Sequence, residues 1–401
     1  MALTDYKPQF DNAYQEVFNK TLVSKEIMNT RFEAMLKFGA SVERVAYDIS
    51  NVLVRDVTRG AASTIDALTD TSELLTINLE KEAAFHISDG EATQAGPLNP
   101  GEVIGKQVGI KVATDLDGKC FAEVVNASYA FDTGDLTTGA SSGVPITLSS
   151  TTVPQMTTRM GAKLRNKNNQ EVMTNMALVV DAYAASDVSQ FIISKNIDLA
   201  GSVFKNGYAG DVSTAQMYIS ENLTGTATLL VEEVATADET LSINGVTFTA
   251  KAVPSAAGEI DVSASVDAQG GLFADAINNT DGNAAGEGSA TTYFEVSAAD
   301  RLLLAGISAV YDSATDTLTI TGVGTGRITA SSTFSSGITL NYINAYYGKK
   351  GAIDLVIQDL KPVDMRVTAD RRGTNVFSSY LAGIKTFADG AKKFLNVKIN
   401  A

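Results

Sequence analysis

Gly139-Ala140-Ser141-Ser142-Gly143 has the glycine and serine spacing of a nucleophile elbow around Ser141. Such a serine needs a strand before it, a helix after it and a histidine later in the chain to take its proton. Here Gly, Thr and Ser flank it, and the single histidine, His86, lies upstream. A flexible connector is the expected structure. Gly322–Arg327, GVGTGR, has the glycines of a phosphate-cradling loop but not the Lys-Ser/Thr ending or the amphipathic helix after it. It is expected to be a β-turn. Asp281–Glu287, DGNAAGE, begins like a calcium loop. Ala285 then stands at position five and Thr292 at position twelve, where a glutamate is needed, so a weak ion site is the most it offers.

His86 follows Phe85 in an alternating pattern and is expected to be a packed or edge residue of a strand. Cys120 is the only cysteine, which excludes an intrachain disulfide. It falls on helical spacing and is expected to be a small core residue. One Cys and one His do not make a zinc site. The basic run Lys163–Lys167, KLRNK, suits a solvated helix end or a polar contact to a neighbouring subunit. These residues form no catalytic constellation and imply no metal and no cofactor. A structural or binding role is expected, not an enzyme.

The elements that hold these residues are legible in the spacing of apolar positions. Ile27, Phe32, Met35 and Leu36 predict a helix within the first 40 residues. Val42–Val57 and Glu73–Ile87 alternate, which predicts one long hairpin with a polar tip between about Thr58 and Thr71. Asn99 and Pro100 form a helix start, with Glu102 suited to the dipole. Apolar spacing then carries the helix to Ala127, with Gly105, Gly109 and Gly118 weakening it or allowing close packing. A helix is expected at VPQMTTRMGAKLRNKN, a buried strand at MALVVDA, and a helix capped by Ser186 at ASDVSQFIISKN. The last strands are expected at GAIDLVIQDL, MRVTAD and FLNVKIN, with a helix or turn around FSSYLAGIK.

Between Asn222 and Ala345 the texture becomes Thr, Ala, Gly and Ser with short strands. Glu239–Ala250, ETLSINGVTFTA, alternates on both sides of Asn244-Gly245, the strongest short-range hairpin signal. Asp316–Val323, DTLTITGV, nearly repeats it, and QGGLFADAINN predicts a helix between the two. The segment holds 14 acidic residues and 3 basic ones, a net charge of −11 out of −15 for the chain. Its length suits a domain inserted at an exposed loop.

The 401 residues give ample material for a core, with 44% hydrophobic and 19% charged. A pI near 4.6 argues against a dedicated nucleic-acid binder, because phosphates repel such a surface. The opening residues lack the pattern of a signal peptide, and no stretch is apolar enough for a membrane span. A soluble chain folded in a reducing cytoplasm is expected.

SKEIMNTRFEAMLKFGASVERVAYD, LTDTSELLTINLEKEAAFHISDGEATQ and GKQVGIKVATDLDGKCFAEVV resemble the major capsid proteins of tailed bacteriophages, the Hong Kong 97-like fold. The likeness covers most of Tyr6–Glu221 and, more loosely, Tyr347–Ile399. It implies an α+β fold with residues 1–40 as the N-terminal arm and 41–90 as the E-loop hairpin and P-domain strand. Residues 91–150 would hold the P-domain spine helix and connector, and 151–221 the A-domain. Residues 222–345 would be the inserted acidic β-rich domain, and 346–401 the C-terminal strands of the A- and P-domains. The implied function is self-assembly into hexamers and pentamers of an icosahedral virion shell, built in the bacterial cytoplasm and enclosing DNA without reading its sequence. The implied partners are further copies of the chain, a separate scaffolding protein, a portal and a decoration protein, with no membrane. The inserted domain is expected on the outer face.

Some relatives crosslink subunits through an E-loop lysine, but Val45–Glu80 contains none, so no crosslink is expected. Arg55 and Arg59 on the loop and Arg371 and Arg372 in TADRRGTN are the candidate intersubunit contacts. The alternatives are a tail-tube or tail-sheath subunit, or a filament or adhesin subunit. The long helix argues against a tube, and the strand-like C-terminus against a flagellin-like filament.

Overall fold

The computed structural model describes residues 7–34, 39–48, 52–56, 59, 62, 65–66, 69–88, 100–167, 174–195, 208–212, 215–263, 265–280, 292–334, 337–367 and 372–401. The helices are α1 (Lys7–Thr21), α2 (Ser24–Ile27), α3 (Pro100–Ala122), α4 (Thr152–Lys167), α5 (Ala182–Lys195), α6 (Val266–Asn278), α7 (Ala298–Leu303) and α8 (Ala388–Ala391). The strands are β1 (Ser41–Asp48), β2 (Thr69–Thr76), β3 (Leu79–Ser88), β4 (Tyr129–Phe131), β5 (Met176–Val180), β6 (Tyr208–Val212), β7 (Ala215–Ile219), β8 (Thr224–Leu230) and β9 (Thr240–Ile243). They continue as β10 (Val246–Lys251), β11 (Glu259–Asp261), β12 (Ile307–Asp312), β13 (Thr317–Gly322), β14 (Ala330–Ser332), β15 (Ile338–Lys349), β16 (Asp354–Val367), β17 (Gly373–Lys385) and β18 (Phe394–Asn400). The fold is α+β with several sheets. No described helix is long and apolar enough to cross a membrane.

The chain divides into two units. The first comprises Met1–Thr21, Lys25–Val112 and Lys350–Lys393. Phe10, Tyr14 and Phe18 recur every four residues on α1, so their rings stack along one buried face, 6.4 and 5.7 Å between centroids. A Cβ on Gly105 would lie 2.8 Å from the Phe10 carbonyl oxygen, and one on Gly109 3.0 Å from that of Tyr14. These glycines therefore let the α1 backbone rest directly on α3, the close packing their spacing allowed. At 23 residues α3 runs about 35 Å.

Three expectations are corrected here. The helix foreseen around Ile27 and Phe32 is broken, because the backbone there pairs elsewhere. Gly351 N donates to Ile27 O at 2.6 Å, Asn29 N to Ile353 O at 2.8 Å, and Leu355 N to Asn29 O at 3.0 Å. Met35 and Leu36 lie outside the described residues. The hairpin foreseen as far as Ile87 ends at Thr76, because β3 leaves it to pair with β17 from Leu79↔Ala382 to Ser88↔Gly373. FSSYLAGIK lies within strand β17. Val376, Ser378, Tyr380 and Ala382 alternate as its buried face between β16 and β3.

The second unit comprises Leu22–Ser24, Ala113–Lys349 and Phe394–Ala401. Its main sheet runs β12-β13-β8-β15-β5-β7-β6, with β18 joining β15 to β4. A smaller sheet runs β11-β10-β9-β14. Asn244 and Gly245 both take positive φ, 49° and 85°, which makes the β9–β10 turn as the Asn-Gly pair predicts. The apparent repeat at DTLTITGV pairs differently: β13 lies between β12 and β8. α5 starts at Ala182 under Asp181, whose carboxylate accepts from Ala184 N at 3.1 Å, so Asp181 rather than Ser186 is its cap.

Residues 227–338 supply a hydrophobic cluster of their own, built on Leu241, Phe248, Phe273, Ile277, Leu318 and Ile320. The strands entering and leaving this segment are neighbours. β8 and β15 pair antiparallel from Thr224↔Asn344 to Leu229↔Ile338.

Candidate functional site

In the β1–β2 hairpin, alternation along paired strands puts Val42, Arg44, Leu75 and Glu73 on one face and Glu43, Val45, Leu74 and Ser72 on the other. The first face is anchored. Leu75 is fully buried with Val356 and Phe387, and Val42, Phe32 and Ile77 close around them. The Arg44 guanidinium lies 5.1 Å from the Phe387 ring centroid and 2.5 Å from Asp389. Glu73 accepts from Ala388 N at 2.9 Å.

Among the described residues the opposite face has no such cover. Val45 is 48% exposed and Leu74 52%. Further out, Val52, Leu53, Val54 and Ile65 are all exposed. Asp66 organises this tip: it takes both arms of Arg55 at 2.7 Å and the Leu53 amide at 3.0 Å. That bidentate pair holds the Asp66 carboxyl below its usual range, with the Leu53 amide adding to it. Exposed apolar side chains that gather in a patch mark a protein–protein contact, and six stand on this hairpin.

Of the four candidate contact arginines, Arg55 is thus engaged within its own chain. Arg59 and Arg372 are exposed, and Arg371 lies outside the described residues. His86 lies on β3 with Nδ1 2.7 Å from Asn375 Oδ1, and Cys120 is fully buried, as their contexts suggested. Burial raises the Cys120 thiol well above its ordinary range, and the nearby Asp117 charge adds to this.

The motif searches resolve into structural devices. GASSG is not a loose connector. The Asp132 carboxylate accepts from Gly134 N at 3.0 Å, Ser142 N at 2.9 Å, Gly143 N at 2.8 Å and the Ser141 hydroxyl, pinning the loop. Burial alone would raise that carboxyl, but these donors outweigh it and hold it low. Ser141 therefore faces an acceptor and not a catalytic base. GVGTGR is a turn with Gly324 and Gly326 at positive φ. A Cβ on Gly118 of α3 would lie 2.7 Å from Gly324 Cα, so the turn is seated on that helix. Arg327 pairs with the buried Asp181 and donates to Asn400 O at 3.3 Å. DGNAAGE falls outside the described residues. Among the described residues no group of His, Cys, Asp and Glu is arranged to hold a metal.

Sequence reasoning missed the buried carboxylates Asp117, Asp132, Asp135, Asp181 and Asp354, whose partners are distant in sequence or are backbone amides. Asp117, for instance, accepts from Val23 N and Ser24 N, both at 3.0 Å. Burial raises its carboxyl, with the Ser24, Val23 and Asn222 hydrogen bonds opposing.

The chain is similar to solved phage capsid structures. One from Mycobacterium phage Che8 has a TM-score of 0.47 at 15% identity, over 93% of this chain and 90% of that one. The capsid structure of cyanophage P-SCSP1u has 0.43 at 12%, over 90% and 84%. The mature capsid of bacteriophage PhiM1 has 0.41 at 12%, over 90% and 82%. At TM-scores below 0.5 these likenesses decide nothing about function. No protein-family model and no curated protein matches the chain.

Proposed function

We propose that this chain is a shell-forming coat subunit of the Hong Kong 97-like kind, assembling into hexamers and pentamers of a phage head. The observation that carries the reading is the two-faced hairpin: one face is fastened by Leu75, Arg44 and Glu73, while the other and the tip leave Val45, Leu74 and Val52–Val54 bare. Symmetric self-association needs such complementary surfaces and no active site. The hairpin is the E-loop on this reading, α3 the spine helix, and the long strands β3, β16 and β17 the P-domain sheet. Residues 222–345 are the inserted domain, supported by their own core and by the adjacent entry and exit strands. Their net charge of −11 favours the outer face, away from packaged phosphates. A scaffolding protein, a portal and a decoration protein are the further partners.

The test is negative-stain electron microscopy of the purified chain, alone and with a candidate scaffolding protein. Closed shells or capsomer rings are expected. A variant with Val52→Ser, Leu53→Ser and Val54→Ser is expected to stay folded, because exposed positions cost roughly 0.5 kcal/mol or less each, and to lose the shells. Tubes of fixed diameter would point to a tail protein, and dispersed monomers in both samples would overturn the coat reading.

A further inference from the structure

Charge is shared unevenly at the root of the hairpin. Asp354, the first residue of β16, is 1% exposed. The Asn29 carboxamide donates to it, and the Arg44 guanidinium stands 3.6 Å away. Arg44 gives its close contact to Asp389, at 2.5 Å, and Lys393 lies 3.3 Å from the same carboxylate. Two carboxylates thus share one guanidinium, and the more deeply buried of them has the weaker hold on it. Among the described residues other charged groups flank this root, and Lys385 of β17 is the register partner of Asp354. Glu33 accepts from Ile357 N at 3.4 Å with Lys25 nearby, and Glu73 of β2 is taken by Ala388 N.

We propose that this cluster is a proton-operated clamp on the hairpin, in which a proton on Asp354 leaves Arg44 wholly to Asp389 and fastens β1 and β2 more tightly. It holds whether or not the hairpin serves assembly. A buried carboxylate with one carboxamide donor and a carboxylate neighbour is cheaper neutral than charged. Burial raises the Asp354 carboxyl to about 6, opposed by Asn29 and Arg44 and helped by Asp389. The closed hairpin therefore binds the proton more tightly than an opened one with an ordinary carboxyl. The extra hold is fully present below the ordinary carboxylate range and is lost as pH rises through about 6.

Hydrogen exchange of the full chain tests this, with rates corrected for the intrinsic pH effect. Amides of β1 and β2 should be roughly tenfold better protected at pH 5 than at pH 7.5. Asp354→Asn should abolish the difference, while His86→Gln, a substitution on β3 of the same unit, should keep it. Equal protection at both pH values, or a difference that survives Asp354→Asn, overturns the clamp. A carbon-13 titration of the Asp354 carboxyl in the unmutated chain gives an independent reading. A midpoint near 6 supports the clamp, and one in the ordinary carboxylate range overturns it.

Discussion

Lys163 stands in a basic run, yet its ammonium lies 2.6 and 2.7 Å from the two Asp135 oxygens and 2.6 Å from the Ala130 carbonyl. Asp135 is 2% exposed and also accepts from Asp132 N at 3.1 Å, so the pair sits where an unmatched charge is costly. Lys163→Met should therefore destabilise the chain by about 3–5 kcal/mol, the usual loss when one partner of a buried pair is removed. Adding Asp135→Asn should recover part of it, and denaturant titration of the two variants measures both effects. The pair was illegible in the sequence because its members are 28 positions apart and Asp135 lies in a segment of Gly, Thr and Ser. His86 and Cys120 were legible because a lone residue of either type in an apolar pattern has few alternatives to packing.

At the scale of elements, legibility followed how local the cause was. Asn244-Gly245 fixes its own turn, and the apolar spacing of α3 survives three glycines. β17 was misread because Phe377, Tyr380, Leu381 and Ile384 imitate helical spacing, while the buried alternation runs partly through Ser378 and Ala382. Pairing with β3 and β16 on both sides overrides the local preference. The glycines of α3 make the opposite point, since their cost to the helix is offset by contact. Gly105→Val would drive a side chain into the Phe10 backbone and should cost about 1–3 kcal/mol. Faster amide exchange along α1 would accompany that loss. Gly271 on α6 meets nothing within 4 Å, so Gly271→Ala should instead stabilise by up to about 1 kcal/mol. Thermal unfolding of both variants reads the contrast, and equal effects would show that Gly105 is not a packing glycine.

For the whole molecule, the open question is whether residues 222–345 are an addition to the second unit or part of its foundation. Composition revealed the segment, but not that β8, β12 and β13 would extend the main sheet through β15. Two observations favour an addition: the cluster within 227–338, and the pairing of Leu229 with Ile338, which lets a short turn close the gap. The Gly322–Arg327 turn opposes it, since the turn sits on Gly118 of α3 and removing Arg327 would leave Asp181 buried and unpaired. A fair excision therefore joins Leu229 to Ile338 through Asn-Gly and adds Asp181→Asn, which keeps a capping side chain on α5. The shortened chain should fold, lose the −11 charge of the segment and still form shells by electron microscopy. An aggregated product would mean that Ala227 and Leu229, stripped of Leu318 and Ile320, cannot face solvent, and that the segment belongs to the core fold.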